Sequence, residues 1–279
     1  MHKEGIIVTG ANGFLGTNLF SQTKDKDFLT INRNDITSNG KLKLYSRESS
    51  LTDKDIDSYD NFTLIHLATY FSKEKQAQGE IRNANILFGN EVLRQIDNLN
   101  IRKIIYTNSM YSFYEDNESR ESFYCITKNL FSETLQKYTN EKSILFEEIF
   151  IDNNFGVNDK RSKIMPIILE SLKKKSNNPI KNPDSYMNLL FIDDVVKRIN
   201  YSVTSKDSGG NCFIDSKMLK LDSIYNFIEN YIFNKSIEPT LLKYKENNYI
   251  NDYPKVDLKN ITITPHEKSL ITVAKEVLI

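Results

Sequence analysis

The sequence predicts an α/β fold, a Rossmann-type doubly wound parallel sheet followed by a smaller C-terminal α/β region, on three observations. Short apolar runs alternate with helical patterns through the first half of the chain, the sequence form of repeated βαβ units. A glycine-rich turn, TGANGFLG at Thr9 to Gly16, closes the first apolar run and opens the first helical stretch. Beyond Ile151 the pattern loosens into Asn- and Lys-rich segments, so residues 1–155 are expected to form one domain and 156–279 mostly a second, with some segments returning to the first.

Taken in order, strands are expected at Gly5 to Val8, Phe28 to Asn32, Phe62 to Leu67, Lys103 to Thr107 and Ser143 to Ile149. A weak strand around Leu42 to Tyr45, then loop and a short helix, fill the polar stretch from Asn39 to Asp60. The clearest helix runs from Ile81 to Leu99, with Ile81, Ala84, Leu87, Phe88, Val92, Leu93 and Ile96 on one face that should pack on the sheet. Further helices are expected at Phe123 to Tyr138, Ile164 to Lys175, Asp193 to Val203 and Leu221 to Ile232. A last helix should begin after Thr264 and Pro265, with Thr264 as cap and Pro265 at the first helical position.

Charge excludes some partners. The 37 basic and 37 acidic residues cancel, so no overall field draws the chain to nucleic acid or to anionic lipid. No apolar run approaches the length of a membrane span, which argues against a membrane partner. Cys125 and Cys212, the two cysteines, have neither metal-ligand spacing nor a disulfide pattern, so a reducing compartment, the cytoplasm, and no metal are expected.

The glycine turn carries the first chemistry. Gly10 permits the tight turn, Gly13 lets backbone approach a pyrophosphate, and Gly16 allows the helix to pack closely on the strand. The helix N-terminus then faces the phosphates with its amides and partial positive charge. This predicts dinucleotide binding by Gly10, Asn12, Gly13, Phe14, Leu15 and Gly16. The second strand ends at Arg33, where a guanidinium suits a ribose 2′-phosphate; NADP(H) is therefore expected, and Asp35 nearby keeps NAD(H) open.

YCITK sets Tyr124 and Lys128 four residues apart, on one helix face. An adjacent ammonium is expected to lower the phenol pKa of Tyr124 and so make it a usable proton donor or acceptor. IIYTNS supplies Thr107 and Ser109 at the preceding strand end.

With those residues in hand the chain resembles the extended short-chain dehydrogenase/reductase family, of the NAD-dependent epimerase/dehydratase type, over nearly its full length. TGANGFLG looks like that family's cofactor loop, and HLA at His66 to Ala68 like its fourth-strand signature. Asn85 falls where the following helix usually carries an asparagine, and YTNS with YCITK resembles the Ser-Tyr-Lys site. NNFG at Asn153 to Gly156, FIDD at Phe191 to Asp194 and the ending TPHEKSL continue the likeness. The resemblance implies that Ser109, Tyr124 and Lys128 are catalytic, with Tyr124 as acid or base and Ser109 bonding the substrate oxygen. It implies that Lys128 holds the nicotinamide ribose, that Leu67 and Ala68 line the cofactor, and that Ser109, Met110, Asn153 and Met187 meet the substrate. It also implies a homodimer paired through the helices at Ile81 to Leu99 and Phe123 to Tyr138.

Extended members mostly act on nucleotide-linked sugars. Met110 and Tyr111 follow Ser109 where sugar dehydratases carry an Asp-Glu pair, which argues against a dehydratase. IHLATYF, YTNSMYSF, YCITKNLFSE and LLFIDDVV are most similar to the group that includes the CDP-abequose synthases. The expected reaction is NADPH-dependent reduction of the C4 keto group of a nucleotide-diphosphate-linked 4-keto-6-deoxysugar, a step toward surface polysaccharide such as O-antigen and lipopolysaccharide. The alternatives are an NAD-dependent nucleotide-sugar epimerase and a catalytically silent dinucleotide-binding regulatory protein. Met187 and Asn188 stand where the family usually has an arginine, which helps bind the diphosphate, and an aspartate.

Overall fold

The computed structural model describes residues 3–23, 26, 28–31, 52–114, 117–120, 122–205, 209–213, 217–246 and 263–278. Arg33 and the weak strand expected at Leu42 to Tyr45 lie outside the described residues. Two compact units emerge: Met1–Phe150, Arg198–Phe213 and Ile250–Val256 in the first, and Ile151–Lys197, Ile214–Tyr249 and Asp257–Ile279 in the second.

In the first unit the order is β1 (Glu4–Thr9), α1 (Phe14–Gln22), β2 (Phe28–Ile31), α2 (Asp53–Ile56) and β3 (Asn61–His66). Then come α3 (Gln78–Arg82), a π-helical turn (Asn83–Leu87), α4 (Phe88–Ile96) and β4 (Ile101–Ser109). A short α5 (Asn117–Arg120) precedes the long α6 (Phe123–Lys142) and β5 (Leu145–Ile151). The sheet order is β2-β1-β3-β4-β5-β8, where β8 is Gly210–Phe213. This is the expected parallel α/β arrangement, with β1 paired parallel to both β2 and β3, β3 to β4, and β5 to β8.

Side chains on both faces of these strands are buried, so they read as near-continuous apolar runs rather than as alternating ones. Ile7, Leu29, Ile31, Leu64, Ile104 and Tyr106 meet Phe88, Val92, Ile96, Phe131 and Leu135 from the helices in one core. Each large side chain so buried contributes about 1.5–3 kcal/mol. Leu87 is the exception on the apolar helix face: it is 42% exposed.

The expected helix at Ile81 to Leu99 is interrupted. Asn85 sits in the π-helical turn, fully buried, and its amide accepts from the Thr69 hydroxyl (3.0 Å) and the Tyr70 amide (2.8 Å) while donating to Thr127 (3.0 Å). A turn of wider pitch aims this side chain at partners that no local periodicity encodes.

The second unit holds a four-stranded sheet, β10-β9-β7-β6, from β6 (Asn153–Phe155), β7 (Tyr186–Phe191), β9 (Met218–Lys220) and β10 (Tyr244–Lys245). β6 and β7 run parallel and the other pairs antiparallel. Its core is built by α7 (Ile164–Lys173), α9 (Leu221–Asn234) and α10 (His266–Leu278) around Phe155, Leu189 and Leu219. Helix α8 (Ile192–Thr204) runs across the residue at which the two units divide. Thr264 does not cap α10 as expected. Its amide and hydroxyl both donate to the buried Asp194 (2.8 Å each), and the carbonyl of Pro265 instead receives the first helical amides, from Lys268 and Ser269. No described helix is long and apolar enough to cross a membrane.

Candidate active site

The ends of β1 and β3 and the start of α1 form one constellation. Gly10 has φ +72°, and a Cβ there would lie 2.7 Å from the Ala68 amide nitrogen. The turn is therefore seated directly on the Leu67–Ala68 strand end. Leu67 donates its amide to the Thr9 carbonyl (3.2 Å), and Ala68 donates to the Thr9 hydroxyl (3.2 Å). The same hydroxyl meets His66 Nδ1 at 3.1 Å. Burial pushes the His66 imidazole down to about 3, and the positive Lys128 adds to that, so His66 is neutral.

Gly13 is the N-cap of α1 and no side chain caps that helix. Phe14, Leu15 and Gly16 form its first turn, and Asn12 and Gly13 are exposed in the loop before it. A Cβ at Gly16 would strike the Gly10 carbonyl oxygen and stand 2.6 Å from that of Ala11. A Cβ-free cradle with an uncapped helix N-terminus behind it fits a dinucleotide diphosphate.

The second constellation joins β4 to α6. Ser109 is the last residue of β4, is 6% exposed, and its hydroxyl accepts from the Tyr111 amide at 3.2 Å. Met110, next in the chain, is fully buried at the start of a 3₁₀ turn. Helix α6 begins at a Ser122 cap whose hydroxyl accepts from Cys125, so Tyr124 stands in its first turn and Lys128 one turn later. Lys128 is buried; its Nζ donates to the Thr107 carbonyl at 2.6 Å and lies 4.2 Å from the centre of the Tyr106 ring. Tyr106 in turn donates its hydroxyl to the Lys128 carbonyl (3.1 Å).

Burial decides both titrations. Lys128 is pulled down to about 7, with the negative Glu148 working the other way. Tyr124 is pushed up to about 12 by burial, against a hydrogen bond with Thr69. The expected lowering of Tyr124 by Lys128 is not found: desolvation of the phenolate dominates, and the opposing influence is the hydrogen bond with Thr69. A phenol held protonated at neutral pH is suited to give a proton, not to take one.

Some neighbours carry no sequence motif. Phe71 and Tyr111 stand edge-on to the Tyr124 ring, with centroids 5.0 and 6.4 Å away. Asn108 holds the Ser109 amide through Oδ1 (2.7 Å), while its Nδ2 donates to Asn129 (3.2 Å) and to the buried Glu148 (2.7 Å). The one available signal was the carboxylate pair Glu147 and Glu148 inside the otherwise apolar run LFEEIFI.

Thus the Gly10 turn is seated on Leu67 and Ala68, while from β4 and the turn after it Thr107 meets Lys128 and Tyr111, bonded to Ser109, meets the Tyr124 ring. Asn153 and Met187 belong to the second unit. Asn153 begins β6 and donates its amide and side chain to Asp152 (2.8 and 3.0 Å), and Met187 on β7 pairs with Leu219.

The chain is similar to known proteins in sequence and in fold. It is 28% identical to a CDP-abequose synthase of Salmonella typhimurium over 204 residues, 70% of this chain and 68% of that one. It is 24% identical to a CDP-abequose synthase of Yersinia pseudotuberculosis over 251 residues, 87% of this chain and 85% of that one. A UDP-N-acetylglucosamine 4-epimerase from Methanobrevibacter ruminantium, solved with UDP-N-acetylmuramic acid, shares the fold. Its TM-score is 0.70 at 15% identity, over 99% of this chain and 98% of that one. Residues 6–213 match the NAD dependent epimerase/dehydratase family, and the chain belongs to that family of NAD(P)-binding enzymes.

Proposed function

We propose that this protein is an NADPH-dependent reductase of the C4 keto group of a nucleotide-diphosphate-linked 4-keto-6-deoxysugar. The observation that carries the reading is Tyr124, held protonated four residues before the buried Lys128, beside the strand end that bears Ser109. Bound NADPH would supply the hydride to C4, and its oxidation to NADP⁺ balances the two electrons gained. Tyr124 gives its phenolic proton to the developing alkoxide oxygen, Ser109 donates a hydrogen bond to that oxygen, and the phenolate left behind is stabilised by the Lys128 ammonium. Lys128 spends one N–H on Thr107, which leaves two to hold the hydroxyls of the nicotinamide ribose. Gly10, Asn12, Gly13, Phe14, Leu15 and Gly16 cradle the diphosphate, Leu67 and Ala68 line the cofactor, and Arg33 pairs with the 2′-phosphate.

The likeness to CDP-abequose synthases supports the sugar class, and Met110, Asn153 and Met187 are its proposed contacts in addition to Ser109. The work is that of a cytoplasmic homodimer. Leu87, Ile126 and Leu130, each more than 40% exposed on the π-helical turn and on α6, supply an apolar face for pairing.

The test is to present purified protein and NADPH with the CDP-, dTDP-, GDP- and UDP-linked 4-keto-6-deoxysugars and follow NADPH oxidation. Oxidation with at least one of them is expected. No oxidation with any, together with interconversion of C4 epimers without added cofactor, would make the protein an epimerase instead.

A further inference from the structure

Strand β5 carries two adjacent buried carboxylates, and alternation sends them to opposite faces of the sheet. Glu147 is matched by cations. Its Oε2 stands 3.1 Å from Lys103 Nζ, and Oε1 accepts from the Arg198 guanidinium and from Ser202 (2.8 Å). Glu148 has different company. Neutral donors meet it: Asn108 at 2.7 Å, with Ser132 and Gln136 from α6. Among the described residues, the positive charge in its field is Lys128, an interaction felt by both groups.

Among the described residues, the titratable groups around Lys128 are His66 on β3, Tyr106 on β4, Tyr124 and Cys125 on α6, and Glu148 on β5. Burial holds His66 unprotonated and pushes the Tyr106, Tyr124 and Cys125 groups up, so these four are uncharged at neutral pH. A buried ammonium among uncharged groups loses its proton unless a counter-charge opposes its desolvation.

We propose that Glu148 is a positioning residue of the candidate site, the counter-charge that keeps Lys128 an ammonium, itself kept ionised by the donors Asn108, Ser132 and Gln136. Asn108 ties the two halves together. One end of its amide fixes the Ser109 backbone, and the other holds the Glu148 carboxylate. Burial raises the Glu148 carboxyl, and the hydrogen bonds from Ser132, Asn108 and Gln136 and the charge on Lys128 oppose that rise. The inference rests on the proposed role of Lys128 at the nicotinamide ribose.

It is tested on the full-length protein by NADPH fluorescence titration across pH, which needs no sugar substrate, with thermal melting as a check on folding. In the wild type, affinity should fall on the alkaline side with a midpoint set by Lys128, and Lys128→Met should lack that midpoint. Glu148→Gln should move the midpoint down by about one pH unit or more. Glu148→Asp, which keeps the charge, should restore most of the shift. Ser132→Ala, which removes one donor to the carboxylate, should move it the same way by less, and it supplies the answer if Glu148→Gln does not fold.

A folded Glu148→Gln protein with the wild-type midpoint overturns the inference, as does a midpoint that survives in Lys128→Met. A merely structural Glu148 would lower the melting temperature without moving the midpoint. If the midpoint moves but no nucleotide 4-ketosugar is reduced, the proposed reaction fails and the Glu148 assignment stands; if neither NADPH nor NADH binds, both fail.

Discussion

Gly13 and Gly16 stand three residues apart in one loop, and substituting each with alanine should produce opposite results. At Gly16 the added methyl would strike the Gly10 carbonyl oxygen and come within 2.6 and 2.7 Å of the Ala11 carbonyl, all of it backbone that cannot rotate away. Such overpacking costs about 1–3 kcal/mol. At about 2–4 °C per kcal/mol for a chain of this size, the melting temperature of Gly16→Ala should fall by about 2–12 °C. Gly13 has φ −77° and ψ 170°, a conformation alanine adopts freely, and its one close neighbour is the Gly10 carbonyl oxygen at 3.2 Å. The poorer N-cap propensity of alanine is offset by a gain of about 0.4–1 kcal/mol from a less flexible unfolded chain. Stability of Gly13→Ala should therefore stay within about 1 kcal/mol of the wild type. Its binding should not, because the methyl stands in the exposed loop where the diphosphate must approach. If the same 1–3 kcal/mol of crowding falls on the complex, NADPH affinity drops by about 5- to 150-fold. Thermal melts and fluorescence titrations of the two variants decide the matter. A Gly13→Ala protein that binds NADPH like the wild type would refute the cradle, and one that unfolds would make Gly13 a structural glycine.

Three further outcomes are expected. Tyr124→Phe should lower turnover by about 10²–10⁴-fold while NADPH affinity stays within about twofold, measured by steady-state kinetics and titration; equal losses in both would deny Tyr124 the proton-transfer role. Glu147→Gln should destabilise the fold by about 3–5 kcal/mol in urea unfolding, because Lys103 and Arg198 are left buried with no counter-charge, and a loss under about 1 kcal/mol would refute the pairing. His66 is held neutral to about 3 against 6.5 when unfolded, so the unfolded chain binds the proton first and stability falls as pH drops through that window. Between about pH 6.5 and 5 the loss should be about 2 kcal/mol, absent in His66→Gln; identical pH profiles for the two proteins would show that His66 is charged when folded.

What the sequence made legible was whatever local pattern decides. The apolar runs of β1 to β5 were visible because both strand faces are buried, and the glycine spacing because the turn and helix entry depend on residues within one stretch. Tertiary contacts decided the rest. The π-helical turn exists for the bonds Asn85 makes to Tyr70 and Thr127, 15 and 42 residues away in the chain. Thr264 was expected to cap because its neighbours suit a helix start, but Asp194 competes for both its donors. The strands of the second unit are two to six residues long and include Asn153, Asn154 and Asn188, so they show little of the periodicity a strand is recognised by. For Tyr124 the residue pair was read correctly as sharing a helix face, while the direction of the pKa shift depended on burial, which no spacing reports.

The two carboxylates of β5 connect the stability of the first unit to the chemistry of the candidate site. A strand slipped by one residue turns every side chain to the opposite face. Such a slip in β5 would carry Glu147 away from Lys103 and Arg198 and off the face where its ion pairs are made. It would also turn Glu148 away from Asn108 and toward the cation-bearing face. Apolar neighbours such as Phe146 and Ile149 would tolerate the exchange far better than charged ones, since hydrophobic contacts are not directional. The ion pairs of Glu147 and the hydrogen bond from Asn108 to Glu148 therefore each tie one carboxylate to its own face of the sheet. Buried charge of this kind adds little net stability compared with an apolar core, but a register in which every charge has its partner is favoured over those in which it does not.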